Sequence, residues 1–231
     1  MSGKLYIIST PIGNLSDITS RALEILSSVN LIAAEDTRVS RKLLNHYKIK
    51  NKLISYNDFN ENFKAKSLLG LLKNDKNIAV ISDAGTPCIS DPGYRIVNMA
   101  LMNNIKVISI PGATSLIAAL SISGLPSDKF FFEGFLPKKK GLNKRMKILS
   151  KLDATIIIFE SPKRVVKTLN KILDFMGDRV ISLCKEITKI HETTYFGRIS
   201  EVLDEISQNS IKGEFVLMIA KEGYEIWMEN W

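Results

Sequence analysis

The chain has 231 residues, of which 45% are hydrophobic, and its formal net charge is +8. This composition is typical of a globular protein and excludes a disordered chain. No apolar stretch reaches the length of a membrane span, and two cysteines and two histidines exclude a disulfide framework and favour no zinc site. We therefore expect a cytoplasmic protein without membrane contact. The basic surplus favours a polyanion such as RNA, although a Lys-rich composition alone gives the same charge.

The first half of the chain alternates short apolar runs with amphipathic stretches. Runs rich in Ile and Val with helices between them predict a parallel sheet covered on both faces. The predicted strands are Lys4–Thr10, Leu31–Glu35, Lys52–Tyr56, Asn77–Asp83 and Lys106–Pro111. Ligands of such sheets bind beyond the carboxyl ends of the strands, so the loops that follow the strands are the places to look for chemistry.

The loop after the first strand, STPIGNLSDI, carries strong turn signals. Pro11 fixes φ, Gly13 frees it, and Asn14 tolerates a left-handed turn. Ser16 or Asp17 suits the cap of the next helix. A capped turn explains Gly13 and Asp17 but does not require a proline at position 11.

The loop after the second strand, AAEDTR, crowds charges at one strand end. Glu35, Asp36, Thr37 and Arg38 form a mixed-charge cluster that could position a polar substrate. Asp36 or Thr37 also suits a plain helix N-cap.

The loop after the fourth strand, SDAGTPCISDPG, is too rich in turn residues for a simple connection. Ala84 and Gly85 are small enough for a ligand to approach the backbone closely, and Thr86 is held extended by the proline after it. Asp91 and Pro92 predict the N-cap and first residue of a helix. The loop is neither a dinucleotide fingerprint nor a P-loop, which favours a ligand with amine, carboxylate and ribose groups but no phosphate.

The loop after the fifth strand, IPGATS, leads into a helix predicted over Thr114–Ser121. Thr114 and Ser115 offer hydroxyls and first-turn N–H groups, although a capping motif alone would use the same residues. The segment Ser123–Asp128 combines Gly, Pro and polar residues and predicts a domain boundary.

The second half predicts a mixed α/β domain. Its strands are KFFFEGFLP, ATIIIFES, RVISLCKEIT, HETTYFGRI and GEFVLMIAK, of which HETTYFGRI is expected to pair antiparallel with ISLCKEIT. Helices are predicted over Asn143–Lys151 and Pro162–Phe175. We therefore divide the chain into residues 1–122, with a parallel sheet, and 123–231. Both tryptophans, Trp227 and Trp231, fall in the last five residues, and the sequence does not decide whether they dock on the body.

A basic run follows the aromatic strand near the predicted boundary. Lys138, Lys139, Lys140, Lys144 and Arg145 fall within eight positions. A charge run is usually a solvated face, but one beside a cleft is suited to contact an RNA backbone.

Seven of these motifs occur in the same order in a known family. TPIGNLSDI, AAEDTR, SDAGTPCISDPG, PGATS, FFEGFLPKK, FESPKRV and CKEITKIHE make the chain resemble the ribosomal RNA small subunit methyltransferase I family from Lys4 to about Lys221. The resemblance implies a tetrapyrrole-methylase-like, class III fold of two α/β domains, with S-adenosylmethionine in the cleft between them. It also implies a homodimer that methylates the ribose 2′-hydroxyl of a cytidine in the decoding region of small-subunit (16S) rRNA.

The resemblance also suggests roles for particular residues. Cofactor binding is expected of Pro11, Asp83, Ala84, Gly85, Thr86, Pro87, Ala113, Thr114 and Ser115. Catalysis is expected of Glu35, Asp36, Arg38, Lys185 and Glu186. The candidates for the general base are Glu35, Asp36, Asp83, Lys185 and Glu186. RNA contact is expected of Asn14, Lys138, Lys139, Lys140, Lys144 and Arg145, and no metal is expected. Many family members carry a further C-terminal helical segment, so we expect the core and the basic run to hold the rRNA or the 30S subunit here.

Two other functions compete with rRNA methylation. A tetrapyrrole C-methyltransferase has the same fold, but a small macrocycle needs no basic run to track phosphates. A non-catalytic RNA-binding protein would need a platform of stacking aromatics. Phe130, Phe131 and Phe132 alternate too closely to face outward together, and we expect them in the core.

Overall fold

The computed structural model describes residues 2–208 and 211–226, so Trp227 and Trp231 lie outside the described residues. Its contacts divide the chain into two units, Met1–Thr114 and Ser115–Trp231. The sequence analysis places the boundary between residues 122 and 123 instead. The two divisions therefore assign the helix that follows Thr114 to different units.

The first unit is built on a parallel sheet. Its strands run in the spatial order β3-β2-β4-β1-β5, and every paired neighbour is parallel, as predicted. The strands are β1 Leu5–Ile8, β2 Leu31–Ala34, β3 Leu53–Ser55, β4 Ile78–Ile81 and β5 Val107–Ile110. The helices are α1 Ser20–Ser28, α2 Thr37–His46, α3 Glu61–Lys73 and α4 Tyr94–Met102, with a 3-10 turn at Leu15–Asp17.

Alternate residues of the central strands enter two separate cores. Ile78 and Val80 of β4 belong to one cluster of buried side chains, and Ala79 and Ile81 belong to another. Successive side chains of a strand point to opposite faces, so the sheet has a core on each face. This explains why its central strands read as unbroken apolar runs.

The second unit contains a mixed sheet in the order β6-β7-β10-β8-β9. The strands are β6 Phe130–Phe135, β7 Thr155–Glu160, β8 Val180–Lys185, β9 Thr193–Arg198 and β10 Phe215–Ile219; the helices are α5 Ser115–Ser121, α6 Leu142–Leu149, α7 Val165–Met176 and α8 Ile199–Ser207. β6 pairs parallel with β7, and the other pairs are antiparallel. The antiparallel pairing of β8 with β9 confirms the prediction. Helix α5 packs against β10, which places it in this unit.

Three local predictions are wrong. Thr19, rather than Ser16 or Asp17, caps α1 by accepting a hydrogen bond from the Ala22 N–H. Phe130 is 42% exposed rather than buried, although Phe131 packs against the core.

The start of α4 is the third correction. The helix begins after Gly93, whose φ of +141° is a glycine conformation, so Asp91 is not its N-cap and Pro92 is not its first residue. The carboxylate of Glu61 on α3 takes that place, because it accepts hydrogen bonds from the Gly93 and Arg95 N–H groups at 3.1 and 3.2 Å. A residue distant in sequence therefore satisfies the first-turn donors.

Candidate functional site

The loops that follow β1 and β4 are joined at the carboxyl edge of the first sheet. Thr10 and Gly85 exchange two backbone hydrogen bonds of 2.8 and 3.0 Å. Gly85 has φ +83°, and a Cβ there would lie 3.3 Å from Ile12 Cγ2. The backbone conformation therefore favours glycine, the space for a side chain is tight, and the loop after β4 passes closely over the loop after β1.

Hydroxyl groups extend this connection to the loop after β5. Thr86 Oγ1 lies 2.8 Å from Ser9 Oγ and donates to the Ala113 carbonyl at 3.1 Å. Ser9 and Thr10 are 4% and 1% exposed. The result is a partly buried network of uncharged groups that fixes three loops relative to one another.

Three acids interlock at the ends of β2 and β4. The Asp83 N–H donates to Glu35 Oε2 at 3.2 Å, and the Asp36 N–H donates to Asp83 Oδ1 at 3.0 Å. The structure therefore brings together residues that the sequence analysis assigned to catalysis and to cofactor binding.

These carboxyl groups differ in acidity. Burial raises the pKa of Glu35 and of Asp83, and the charges of neighbouring carboxylates add to both shifts. Asp36 differs, because hydrogen bonds from Arg38 lower its pKa to about 2. Asp36 is also the N-cap of α2, which confirms the simpler interpretation of that residue.

Asp91 is an acid that the sequence analysis did not assign to the site. Burial, followed by the charges of Glu35 and Asp83, raises its pKa to about 6. The loop reaches this arrangement through unusual backbone at Cys88 and Ser90, with φ of +72° and +65°. A Cβ on Gly93 would lie 2.5 Å from Cys88 Sγ, so this glycine is needed for the packing of the thiol.

The remaining residues predicted to bind the cofactor lie in or beside these loops. Pro11 and Pro87 are buried, Ala113 and Thr114 are half-buried, and Ala84 is exposed. Ser115 is the first residue of α5 in the second unit. Asn14 caps the 3-10 turn by accepting from the Ser16 N–H, so at least part of its role is local.

Lys185 and Glu186 lie at the end of β8 in the second unit. Glu186 has φ +53°, and its carboxylate accepts hydrogen bonds from the Glu214 N–H and from Lys189 Nζ at 2.8 and 2.9 Å. Burial opposes ionisation of Glu186, but these hydrogen bonds outweigh it and lower its pKa. The pKa values of Glu35 and Asp83 are raised instead, so Glu186 is a weaker candidate for a general base than either of them.

The predicted RNA-binding run divides into two kinds of residue. Lys138, Lys139, Lys140 and Lys144 are exposed. Arg145 pairs instead with Glu133, whose side chain is 8% exposed, and lies 5.5 Å from the centre of the Phe131 ring. The arginine therefore stabilises the second unit, whereas the four lysines leave their charges exposed to solvent.

Two classes of feature are absent from the described part of the chain. Across residues 2–208 and 211–226, no group of three or more His, Cys, Asp or Glu side chains could hold a metal ion. In the same residues, no helix has the length and apolar character needed to cross a bilayer.

Comparison with known proteins gives a match to a family model, two similar relatives and a solved structure of similar fold. Residues 4–203 match the family model of tetrapyrrole (corrin/porphyrin) methylases. A protein of Thermotoga maritima named ribosomal RNA small subunit methyltransferase I is 44% identical over 94% of this chain and 98% of its own length, and one of Halalkalibacterium halodurans with the same name is 43% identical over 99% and 81%. Uroporphyrin-III C-methyltransferase from Thermus thermophilus, complexed with S-adenosyl homocysteine, has a similar fold, with a TM-score of 0.65 at 18% identity over 94% of this chain and 97% of that one.

Proposed function

Because the chain belongs to the ribosomal RNA small subunit methyltransferase I family, we propose that it methylates the ribose 2′-hydroxyl of a cytidine in the decoding region of small-subunit rRNA. As a member of that family it is a methyltransferase of small-subunit rRNA that uses S-adenosylmethionine. The observation that carries the proposal is the identity to relatives of that name over nearly the whole chain. The exact atom that is methylated is our inference from the family resemblance.

The loops of the first unit fit the cofactor. S-adenosylmethionine, when bound, supplies a methyl group on a positively charged sulfur that leaves as a neutral thioether. The small side chain of the exposed Ala84 allows close approach to the backbone, and Thr114 adds a hydroxyl. The acids Glu35 and Asp83 supply negative charge for a cationic ligand. The residues expected to hold the cofactor are therefore those of the loops after β1, β4 and β5.

The acids of the first unit are also suited to receive the proton of the ribose hydroxyl. A general base works best when its pKa lies near the working pH, and the pKa values of Glu35 and Asp83 are both raised. Asp91, with its pKa at about 6, joins them as a candidate. Asp36, with its pKa at about 2, is a poor base, so its role is to cap α2 and hold Arg38.

The direct test is methyl transfer from labelled S-adenosylmethionine to small ribosomal subunits that lack the modification. We expect label in the small-subunit rRNA, resistance of the labelled linkage to alkaline cleavage, and a single cytidine when the site is mapped. Label on a base, or on another RNA only, contradicts the proposed atom or the proposed substrate respectively. A tetrapyrrole acceptor tested in parallel distinguishes the competing function.

The exposed lysines are proposed to hold the RNA backbone. Reversing the charge of Lys138, Lys139 and Lys140 should weaken RNA binding and leave cofactor affinity unchanged. Each lost phosphate contact lowers the slope of log affinity against log salt by roughly one. An unchanged slope would mean that the run is only a solvated face.

We also propose a cytoplasmic homodimer that prefers an assembled or partly assembled small subunit to a short naked RNA. Two copies of the basic run would give a larger surface for a folded substrate, and RNA is recognised mainly by shape, phosphates and exposed nucleotides. Light scattering should give twice the monomer mass. Methylation should be faster on the subunit than on a hairpin, and a monomer with equal rates on both would contradict this picture.

A further inference from the structure

The second unit contains a cavity of about 750 Å³ beside the end of β8. Lys185, Glu186, His191, Thr193, Tyr195 and Lys212 are among the residues that line it. Pockets that bind small molecules usually measure roughly 300–1,000 Å³, so the cavity is large enough for one nucleotide.

The rim of the cavity is a braced loop. Glu186 and Thr188 have φ of +53° and +68°, and a β-branched residue such as threonine rarely adopts a positive φ. Lys189 Nζ binds the carboxylates of Glu186 and Glu214 at 2.9 and 2.8 Å, and the Thr188 N–H donates to the carboxylate of Glu192. Strained backbone of this kind is maintained at functional sites when its surroundings hold it in place.

The bracing also determines which groups a ligand would meet. Two of the acids at the cavity, Glu186 and Glu192, already accept hydrogen bonds from the loop itself. The side chain of Ile190 is 97% exposed, and His191 and Lys212 are exposed as well. A flat ring, an apolar side chain and an ammonium group therefore lie around one opening.

We propose that this cavity holds one unpaired nucleotide of the RNA substrate, with its base against His191 and Ile190 and its phosphate on Lys212. The inference rests on the proposed function and adds a second point of RNA contact to the lysine run. Proteins read RNA mostly at unpaired nucleotides, whose bases stack on flat side chains while basic groups hold the backbone. The cavity offers both kinds of contact within one unit.

Two variants test the site, His191→Ala and Lys212→Glu. Each should weaken binding of a single-stranded cytidine-containing oligoribonucleotide, and of small-subunit rRNA, by about tenfold, as expected for one stacked base or one reversed phosphate contact. Only Lys212→Glu should lower the salt slope, by about one. In methylation assays both should raise KM for the subunit more than they lower kcat.

The matched control is Lys167→Glu, which reverses an exposed charge on α7 that does not line the cavity. It should change RNA affinity less than twofold. Calorimetric titration with S-adenosylmethionine should give the same affinity for all three variants and the wild type, and their thermal unfolding should coincide.

The same titrations can also contradict the proposal. Unchanged RNA affinity and salt slope in both variants would overturn the proposal, and so would a loss of S-adenosylmethionine affinity, because the cavity would then belong to the cofactor. If the wild type transfers no label to small subunits, the proposed function fails, whereas the oligonucleotide titrations still decide whether the cavity binds a nucleotide.

Discussion

The loops of the two units are held in place by different forces. In the first unit, backbone hydrogen bonds between Thr10 and Gly85 and the hydroxyls of Ser9 and Thr86 tie neighbouring loops together. In the second unit, the ion pairs of Lys189 with Glu186 and Glu214 hold the loop after β8. Uncharged networks respond little to salt, whereas charged pairs with partial exposure are screened by it. The hydroxyl contacts of Ser9 and Thr86 should therefore be insensitive to ionic strength, and the loop after β8 more sensitive to it.

The largest expected effect concerns a buried charge in the second unit. The side chain of Glu160 is fully buried, accepts a 2.6 Å hydrogen bond from Thr168 Oγ1, and lies 3.4 Å from Arg164 Nε. Glu160→Ala should lower the free energy of unfolding by about 3 kcal/mol, because it leaves these partners without an acceptor. Urea denaturation at neutral pH measures it. Asp174→Ala, which removes an exposed partner of Lys171, is the control and should cost less than about 0.5 kcal/mol.

A smaller effect is expected at an acid of the first unit. The folded-state pKa of Asp91 is raised from 3.8 to about 6. The folded protein then binds the proton more tightly than the unfolded chain, so this contribution to stability is complete below about pH 4 and is lost as the pH rises through about 6.

Asp91→Asn should remove that dependence. At pH 8 it should raise the free energy of unfolding by about 2 kcal/mol, a value reduced from the full shift because the residue is partly exposed. Unfolding curves between pH 4 and pH 8 measure it, with the exposed Asp17→Asn as the control. Parallel curves for wild type and Asp91→Asn would show that the pKa of this carboxyl group is not raised on folding, which would contradict the prediction.

The next prediction concerns the packing of Gly85 in the loop after β4. Gly85→Val should weaken S-adenosylmethionine binding at least about tenfold, or about 1.4 kcal/mol, because the side chain presses on Ile12, opposes a φ of +83° and so displaces the loop. Titration calorimetry measures it. Gly70→Ala on α3 is the control, since a Cβ there meets nothing within 4 Å, and it should leave affinity unchanged. Normal affinity in a folded Gly85→Val protein would remove this loop from the cofactor site.

The smallest effect is expected from a single hydroxyl. Thr86→Val keeps the shape of the side chain but removes the hydrogen bonds to Ser9 Oγ and the Ala113 carbonyl. It should cost about 1 kcal/mol of stability, with the same loss in 0.05 M and 1 M salt. Thr193→Val, at an exposed position on β9, is the control. A loss that depends on salt would contradict the contrast between the two units.

The sequence predicted the strands well, but it did not predict which residues satisfy the N–H groups at several helix starts. The apolar runs of β2 and β4 are unambiguous because both faces of these strands are buried. The partner of the α4 N-terminus could not be predicted, because Glu61 reaches it from another helix. A local rule favoured Asp91 as a cap, whereas the positive φ of Cys88 and Ser90 redirects the loop.

The candidate site shows the same limit. The position of Glu35 and Asp83 at neighbouring strand ends follows from the parallel sheet, so their proximity was predictable. The engagement of Arg145 with Glu133 was not, because it depends on how α6 packs beside β6. Charge runs in a sequence therefore overstate the charge that is available to a partner.

The packing of Cys88 has a consequence for its chemical reactivity. Burial, together with the nearby charges of Glu61 and Asp91, raises the pKa of its thiol to about 11, and burial also raises that of Cys184. The thiolate is the form that attacks alkylating and oxidising reagents, so both native cysteines should be nearly inert at neutral pH. A cysteine introduced on an exposed helix should then be labelled selectively by a maleimide dye, and the two natural thiols need not be removed first.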